Sequence, residues 1–427
     1  MRISTAVTRR IVRAAALLAV SALPLATHAQ ERGATQKQKM EEYRFEPVGL
    51  VAEPLVIERA VIFGDRHLGN GPISNGVYVD ANNMITGGGW ISAGPGYRRW
   101  YNRDSVFVDA SAAISWRGYK TAQARVELPK LANSRFALGT QVRLQDFTQI
   151  AFFGEGPNSA ESQLSEYRLT SQNLVGYATY RPLEWVDVNA SIGWLSPSIL
   201  PRAGLFMRDR PDARDVFPTN IVFTRSDQPT FVQTEAGVTA DTRDYPGHPT
   251  RGALVRASVT GFADRDAGVF SFRRYEGEAE GFVPLAESRV VIALRGWLVT
   301  SQTGDGQFVP FYLEPSLGGQ NTLRSFADFR FHDRNMMVVN AEARIALMTH
   351  LDAAAFMDAG NVAARVGELD LAKRSYGVGL RLHSRRSTFA RLDVAHGAEG
   401  WRMLVRLNEP LNPSRLLRRT APAPFVP

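Results

Sequence analysis

The residues of this chain with chemistry to offer are thinly spread. Beyond the first 29 residues the histidines are His67, His248, His332, His350, His383 and His396, and no pair falls at a metal-ligand spacing. His383 and His396 bracket Ser387, a weak version of the hydroxyl-plus-imidazole set that a hydrolase requires. No Gly-x-Ser-x-Gly elbow, His-Glu-x-x-His motif, phosphate-binding Gly-rich loop or dinucleotide fingerprint occurs. There is no cysteine, which removes thiolate nucleophiles, disulfides and Cys-ligated zinc or iron–sulfur centres. The sequence therefore predicts no catalytic residue, no cofactor, no metal site and no enzyme.

Charge at alternating positions is what the chain has instead, and it points to the elements that carry it. From Arg289 to Val299 the even positions Val290, Ile292, Leu294 and Leu298 are apolar, while Arg289 and Arg295 fall on the other face. From Asn335 onward Met337, Val339, Ala341, Ala343 and Ile345 share one face, and Asn340, Glu342 and Arg344 share the opposite one. Arg381, Arg391, Arg402 and Arg406, with Asp393 among them, read as lining of a polar interior. Period-two alternation is the mark of a strand with two different surroundings.

Fifteen such runs are visible, the first over 84–94 and the last over 400–408, and a sixteenth is expected around Gly76–Asp80 because single-chain bacterial barrels have even strand numbers. Runs of nine or more residues suit a tilted bilayer crossing, whereas soluble strands average about 5–6 residues. The predicted fold is an all-β, transmembrane antiparallel β-barrel of about 16 strands. Gaps alternate between short (181–184, 284–287) and long (151–165, 198–229, 301–334), as expected for short periplasmic turns and long extracellular loops.

Arg2, Arg9, Arg10 and Arg13 precede the mostly apolar stretch Ala14–Ala26 and then Thr27-His28-Ala29, the pattern of a cleaved secretory signal over 1–29. Removing those four arginines lowers the formal net charge from +8 to +4, too weak and too evenly spread to attract nucleic acid. The reading divides the rest into a short periplasmic or lumen-facing segment (30–74), the barrel (75–408) and a Pro/Arg-rich tail (409–427).

One constellation goes further. The 301–334 gap contains Gly318-Gly319-Gln320-Asn321-Thr322-Leu323-Arg324-Ser325-Phe326, followed by Asn340-Ala341-Glu342-Ala343-Arg344 and Phe356-Met357-Asp358-Ala359-Gly360-Asn361. This order resembles the C-terminal half of the bacterial surface antigen family, the outer-membrane barrels related to BamA, TamA and two-partner secretion transporters. The resemblance implies a long loop that carries the pair Gly318 and Gly319 and folds back into the lumen. It also implies a latch in which Arg324 and Phe326 lie on the loop and Glu342 and Asp358 on the barrel wall. Alternation agrees, since it turns Glu342 and Asp358 inward on neighbouring strands. Ser325 stands where the family has glycine, so a tip different in detail is expected, because serine tolerates a positive φ poorly. Asp241–Gly252 resembles the family's mid-barrel periplasmic turn; taken alone, it reads as a tight turn.

The resemblance implies a Gram-negative outer-membrane location with outer-membrane lipid as surroundings. It implies work on an unfolded outer-membrane protein client, or with a periplasmic or surface partner. Family members that assemble proteins carry POTRA repeats, for which residues 30–74 have no room. Three functions stay open: assembly or translocation of polypeptide or lipid, a partner-dependent structural barrel, and a passive pore.

Overall fold

The computed structural model describes residues 49–59, 61, 75–82, 92–205, 209–286, 288–384 and 387–406. The predicted signal segment and the tail 409–427 lie outside these residues. Sixteen strands pair in chain order as one antiparallel sheet. The first eight are β1 (Gly76–Asn82), β2 (Ser92–Tyr101), β3 (Val106–Ser115), β4 (Lys120–Leu131), β5 (Phe136–Phe152), β6 (Ser165–Leu183), β7 (Val186–Leu200) and β8 (Phe231–Asp241). The sheet continues through β9 (Gly252–Asp264), β10 (Phe272–Leu285) and β11 (Val290–Thr303). A two-residue hairpin in the following loop supplies β12 (Ser316–Leu317) and β13 (Phe331–His332). The sheet resumes with β14 (Asn335–Met348), β15 (Leu351–Ala363), β16 (Lys373–His383), β17 (Thr388–Gly397) and β18 (Gly400–Arg406).

The expected sixteenth strand is β1, paired to β2 from Gly76↔Arg98 to Asn82↔Ser92. The run expected over 84–94 is corrected: the strand there is Ser92–Tyr101. Gly94-Pro95-Gly96 reads as a turn in sequence, yet Pro95 lies within the strand, opposite Val79. Gly96 makes room for the Tyr78 ring, which a Cβ there would meet at 2.2 Å.

The strands alternate as their sequences do. Leu144, Leu174, Ile192, Leu294, Val378 and Trp401 are exposed, large and apolar, as a lipid-facing wall requires. Buried polar residues alternate with them, Asn173 beside Leu174 and Arg295 beside Leu294. Among the described residues no helix is long and apolar enough to cross a membrane. The segment 304–334 shows that the sheet wraps around on itself. Its Phe311 ring lies 4.4 Å from that of Phe152 on β5, its Arg324 is held by β14 and β15, and its Gln320 donates to the Val405 carbonyl on β18. One loop reaches strands so far apart in sheet order only from inside a barrel.

Three layers fill the interior. At the end with long loops, Phe152, Tyr167, Leu169, Phe231, Phe262 and Phe311 belong to a buried apolar cluster. The middle holds the charged network described below. At the end with short turns, residues 242–251 fold into the mouth. Gly247 bridges Ser387, and the Thr388 N–H donates to the Gly247 carbonyl at 2.9 Å. This segment is more than the tight turn its composition suggested. Asp244 holds it in shape by accepting from the N–H groups of Tyr245 and Thr250, each at 2.9 Å.

Candidate functional site

The loop turns at Gly318 and Gly319, with φ of +117° and +83°. This is the left-handed region that glycine adopts without strain. The backbone is also too close for a side chain: a Cβ at Gly318 would lie 1.9 Å from the Ala327 carbonyl oxygen. Thr322 closes the turn, since the Gly318 N–H donates to its hydroxyl at 2.8 Å.

That turn delivers Arg324 to the wall. Its Nη2 and Nε donate to the two oxygens of Asp358 at 2.7 and 2.9 Å, a bidentate pair. Its Nη1 donates to Glu342 Oε2 at 2.7 Å, and the guanidinium carbon sits 3.4 Å from the centroid of the Phe356 ring. Burial alone would favour the neutral form. Asp358, Glu342 and Asp393 more than offset it and hold the guanidinium above its usual range. The structure thus brings Arg324, Glu342 and Asp358 together.

Phe326 lies elsewhere. It packs with Trp297, Leu317, Leu323, Met336 and Val338 in a second buried apolar cluster, 5.4 Å from the Phe331 ring. It is a hydrophobic anchor for the loop tip, and Phe356 is the aromatic that faces the guanidinium. Phe326→Ala is expected to cost about 3–5 kcal/mol, as for large buried aromatics. The measurement is the midpoint of heat modifiability on gels, which should fall while Glu342 and Asp358 still hold Arg324.

Ser325 has no positive φ, so the strain expected of a serine at this position does not arise. Its N–H donates to Ser375 Oγ at 2.7 Å. Gly397 leaves the space, because a Cβ there would meet the Ser325 hydroxyl at 2.1 Å.

The charged network extends beyond the latch. Arg381 donates to Glu342 Oε2 at 2.8 Å and to Asp393 Oδ1 at 2.6 Å. Arg391 Nε pairs with Asp393 Oδ2 at 3.0 Å, while its Nη2 donates to the Gln320 carbonyl at 2.6 Å. Arg295 donates to Glu278 at 2.7 Å and to the Asn321 carbonyl at 2.8 Å, and Arg406 donates to the Asn321 side chain. Asn340 and Phe356, which the sequence reading left out of the latch, lie on the inward faces of the strands that carry Glu342 and Asp358. Asn340 Nδ2 donates to the Thr322 carbonyl at 2.8 Å. The signal was available, since both residues sit two positions from a predicted latch acid. Of the hydrolase-like residues, His396 has its ring 4.7 Å from that of Trp401 and tilted to it by 59°, apart from His383, which faces Asp352.

These features define a barrel whose lumen is closed by a latched loop. The Omp85 superfamily domain matches residues 107–396, and the chain belongs to that superfamily, a family of outer-membrane β-barrels. BamA from Haemophilus ducreyi lacking POTRA domains 1–3 is similar in fold, with a TM-score of 0.58 and 15% identity over 78% of this chain and 69% of that one. CdiB from Escherichia coli is similar with a TM-score of 0.51 and 12% identity, over 79% of this chain and 63% of that one. A comparison with curated protein sequences finds no match.

Proposed function

We propose that this chain is a non-enzymatic outer-membrane barrel that assists insertion or translocation of polypeptide, with the 304–334 loop as an internal strut rather than a removable cork. One observation carries the reading: the loop's Gly-Gly turn is bonded at once to the latch wall and to the last strand. Gln320 Nε2 donates to the Val405 carbonyl at 3.3 Å, from the residue directly after the pair of glycines and four before Arg324. A client strand entering beside β18 would therefore meet an edge whose position the loop sets. A lumen occupied by a buried, ion-paired loop argues against a passive pore.

A second reading, a barrel that acts with a periplasmic partner, is favoured by residues 50–56. This segment is tied to the short-turn end by Glu53 and His350 at 2.8 Å and by the Val51 N–H to the Leu347 carbonyl at 2.9 Å. It nevertheless leaves Leu55 and Val56 exposed by 68% and 76%.

The test is reconstitution of the folded barrel into liposomes, with the folding rate of an unfolded outer-membrane protein as readout. Acceleration that depends on Arg324 is the expected result. No acceleration by a demonstrably folded barrel would count against autonomous insertion and favour the partner-dependent reading.

A further inference from the structure

Below the latch, at the end with short turns, three residues far apart in sequence converge. Turn 242–251 supplies His248, the start of β15 supplies Asp352, and the end of β16 supplies His383. His248 Nε2 lies 3.5 Å from Asp352 Oδ2, and His383 Nε2 lies 3.1 Å from Asp352 Oδ1. One ligand atom from each of the three falls within 4.8 Å of the others, and all three residues are buried.

The far ring nitrogens are engaged. His383 Nδ1 lies 3.1 Å from the Ser384 carbonyl, and His248 Nδ1 lies 3.0 Å from Thr388 Oγ1. A carbonyl only accepts, so the bond to Ser384 places a proton on His383 Nδ1. In the neutral ring Nε2 then presents a lone pair. That lone pair faces a carboxylate oxygen, and two acceptors at 3.1 Å require positive charge between them, a proton or a metal ion. A proton joins two groups. Here a second imidazole approaches the other oxygen of the same carboxylate, which is what a metal ion with three protein ligands would gather.

We propose that His248, Asp352 and His383 form a binding site for a divalent transition metal, with zinc as the reference ion. Two imidazoles and one carboxylate is a zinc-type donor set, and nitrogen donors select against magnesium and calcium, which take oxygen ligands. Nδ1 partners of this kind orient imidazole ligands in metal sites. The rings stack 3.7 Å apart and 9° from parallel, so one of them tilts when both lone pairs turn to a single ion. Arg344, whose Nη1 lies 3.5 Å from His248 Nδ1, opposes a cation and sets a moderate affinity. Bound metal would fasten turn 242–251 to the wall that carries Glu342 and Asp358.

The test uses the untagged full chain, folded in detergent, stripped with EDTA and titrated with zinc chloride and with cobalt chloride. Wild type is expected to take one equivalent of zinc per chain and to give the visible absorption bands of cobalt held by nitrogen and oxygen. D352N and H383A should each bind about tenfold more weakly or worse, a difference of about 1.4 kcal/mol, and H396A should bind as wild type. Less than one equivalent in wild type would overturn the proposal. So would zinc binding unchanged in D352N, or equal competition by magnesium. Wild-type stoichiometry and the cobalt spectrum decide the matter even where a variant fails to fold.

Discussion

Arg324→Ala should leave the barrel able to insert but detach the loop from the wall. The substitution removes a cation that three carboxylates surround: Glu342 at 2.7 Å, Asp358 at 2.7 Å and Asp393 at 3.9 Å. Breaking a buried pair by removing one partner costs about 3–5 kcal/mol, because the remaining charge stays desolvated. Arg381 still neutralises part of Glu342 and Asp393, whereas among the described residues Asp358 keeps Asn340, at 2.9 Å, as its side-chain donor. The damage therefore concentrates at Asp358, and Asp358→Asn added to Arg324→Ala should recover part of the stability. Limited proteolysis is the measurement, with new cleavage expected between Gly318 and Arg330. Cleavage identical to wild type would sink the latch. Arg324→Lys should not restore protection, since a lysine ammonium supplies neither the bidentate fork on Asp358 nor the flat face that lies on Phe356.

Gly318→Ala is expected to do comparable harm by a different route, with every charge in place. A non-glycine residue held in an unfavourable φ region costs on the order of 1–3 kcal/mol. The added Cβ also meets the Ala327 carbonyl at 1.9 Å, a backbone atom that moves only if the whole turn moves. The turn should open and draw Arg324 away from Asp358, so single-channel conductance in a planar bilayer should rise. Gly281→Ala is the matched control, because a Cβ there meets nothing within 4 Å. Similar conductance in the two variants would mean that the Gly-Gly turn does not set the loop's position.

Much of this site was legible in the chain because a strand converts sequence parity into direction. Once Met337, Val339 and Ala341 are read as one face, Glu342 has to point the other way, and the same step places Asp358. The register pairs Asn340 with Asp358 and Glu342 with Phe356, which makes the two acids diagonal neighbours on adjacent strands. The first barrel hairpin was less legible. Gly94-Pro95-Gly96 has the composition of a turn, and the ladder to β1, with pairing to β3 at Ala93 and Gly96, makes it strand.

Residue types and their alternation determined the all-β class, the long strands, the apolar outer face and the inward charges, since these depend on contacts one or two residues apart. Which inward charges meet was decided by strand pairing and by the inward path of the loop, which bring Arg324 of a loop, Arg381 of β16 and Asp393 of β17 around Glu342 of β14. No local pattern encodes such a meeting, because the partners are separated by loops whose paths are set by packing. The same holds for His248, Asp352 and His383, whose spacing in the chain resembles no metal motif. Turn 242–251 folds into the barrel mouth, where the Pro249 carbonyl accepts from Arg344 and Gly247 pairs with Ser387. Tertiary structure alone makes three isolated residues neighbours there, because burial of that turn turns the His248 ring to the polar groups of Thr388 and Asp352 on the wall.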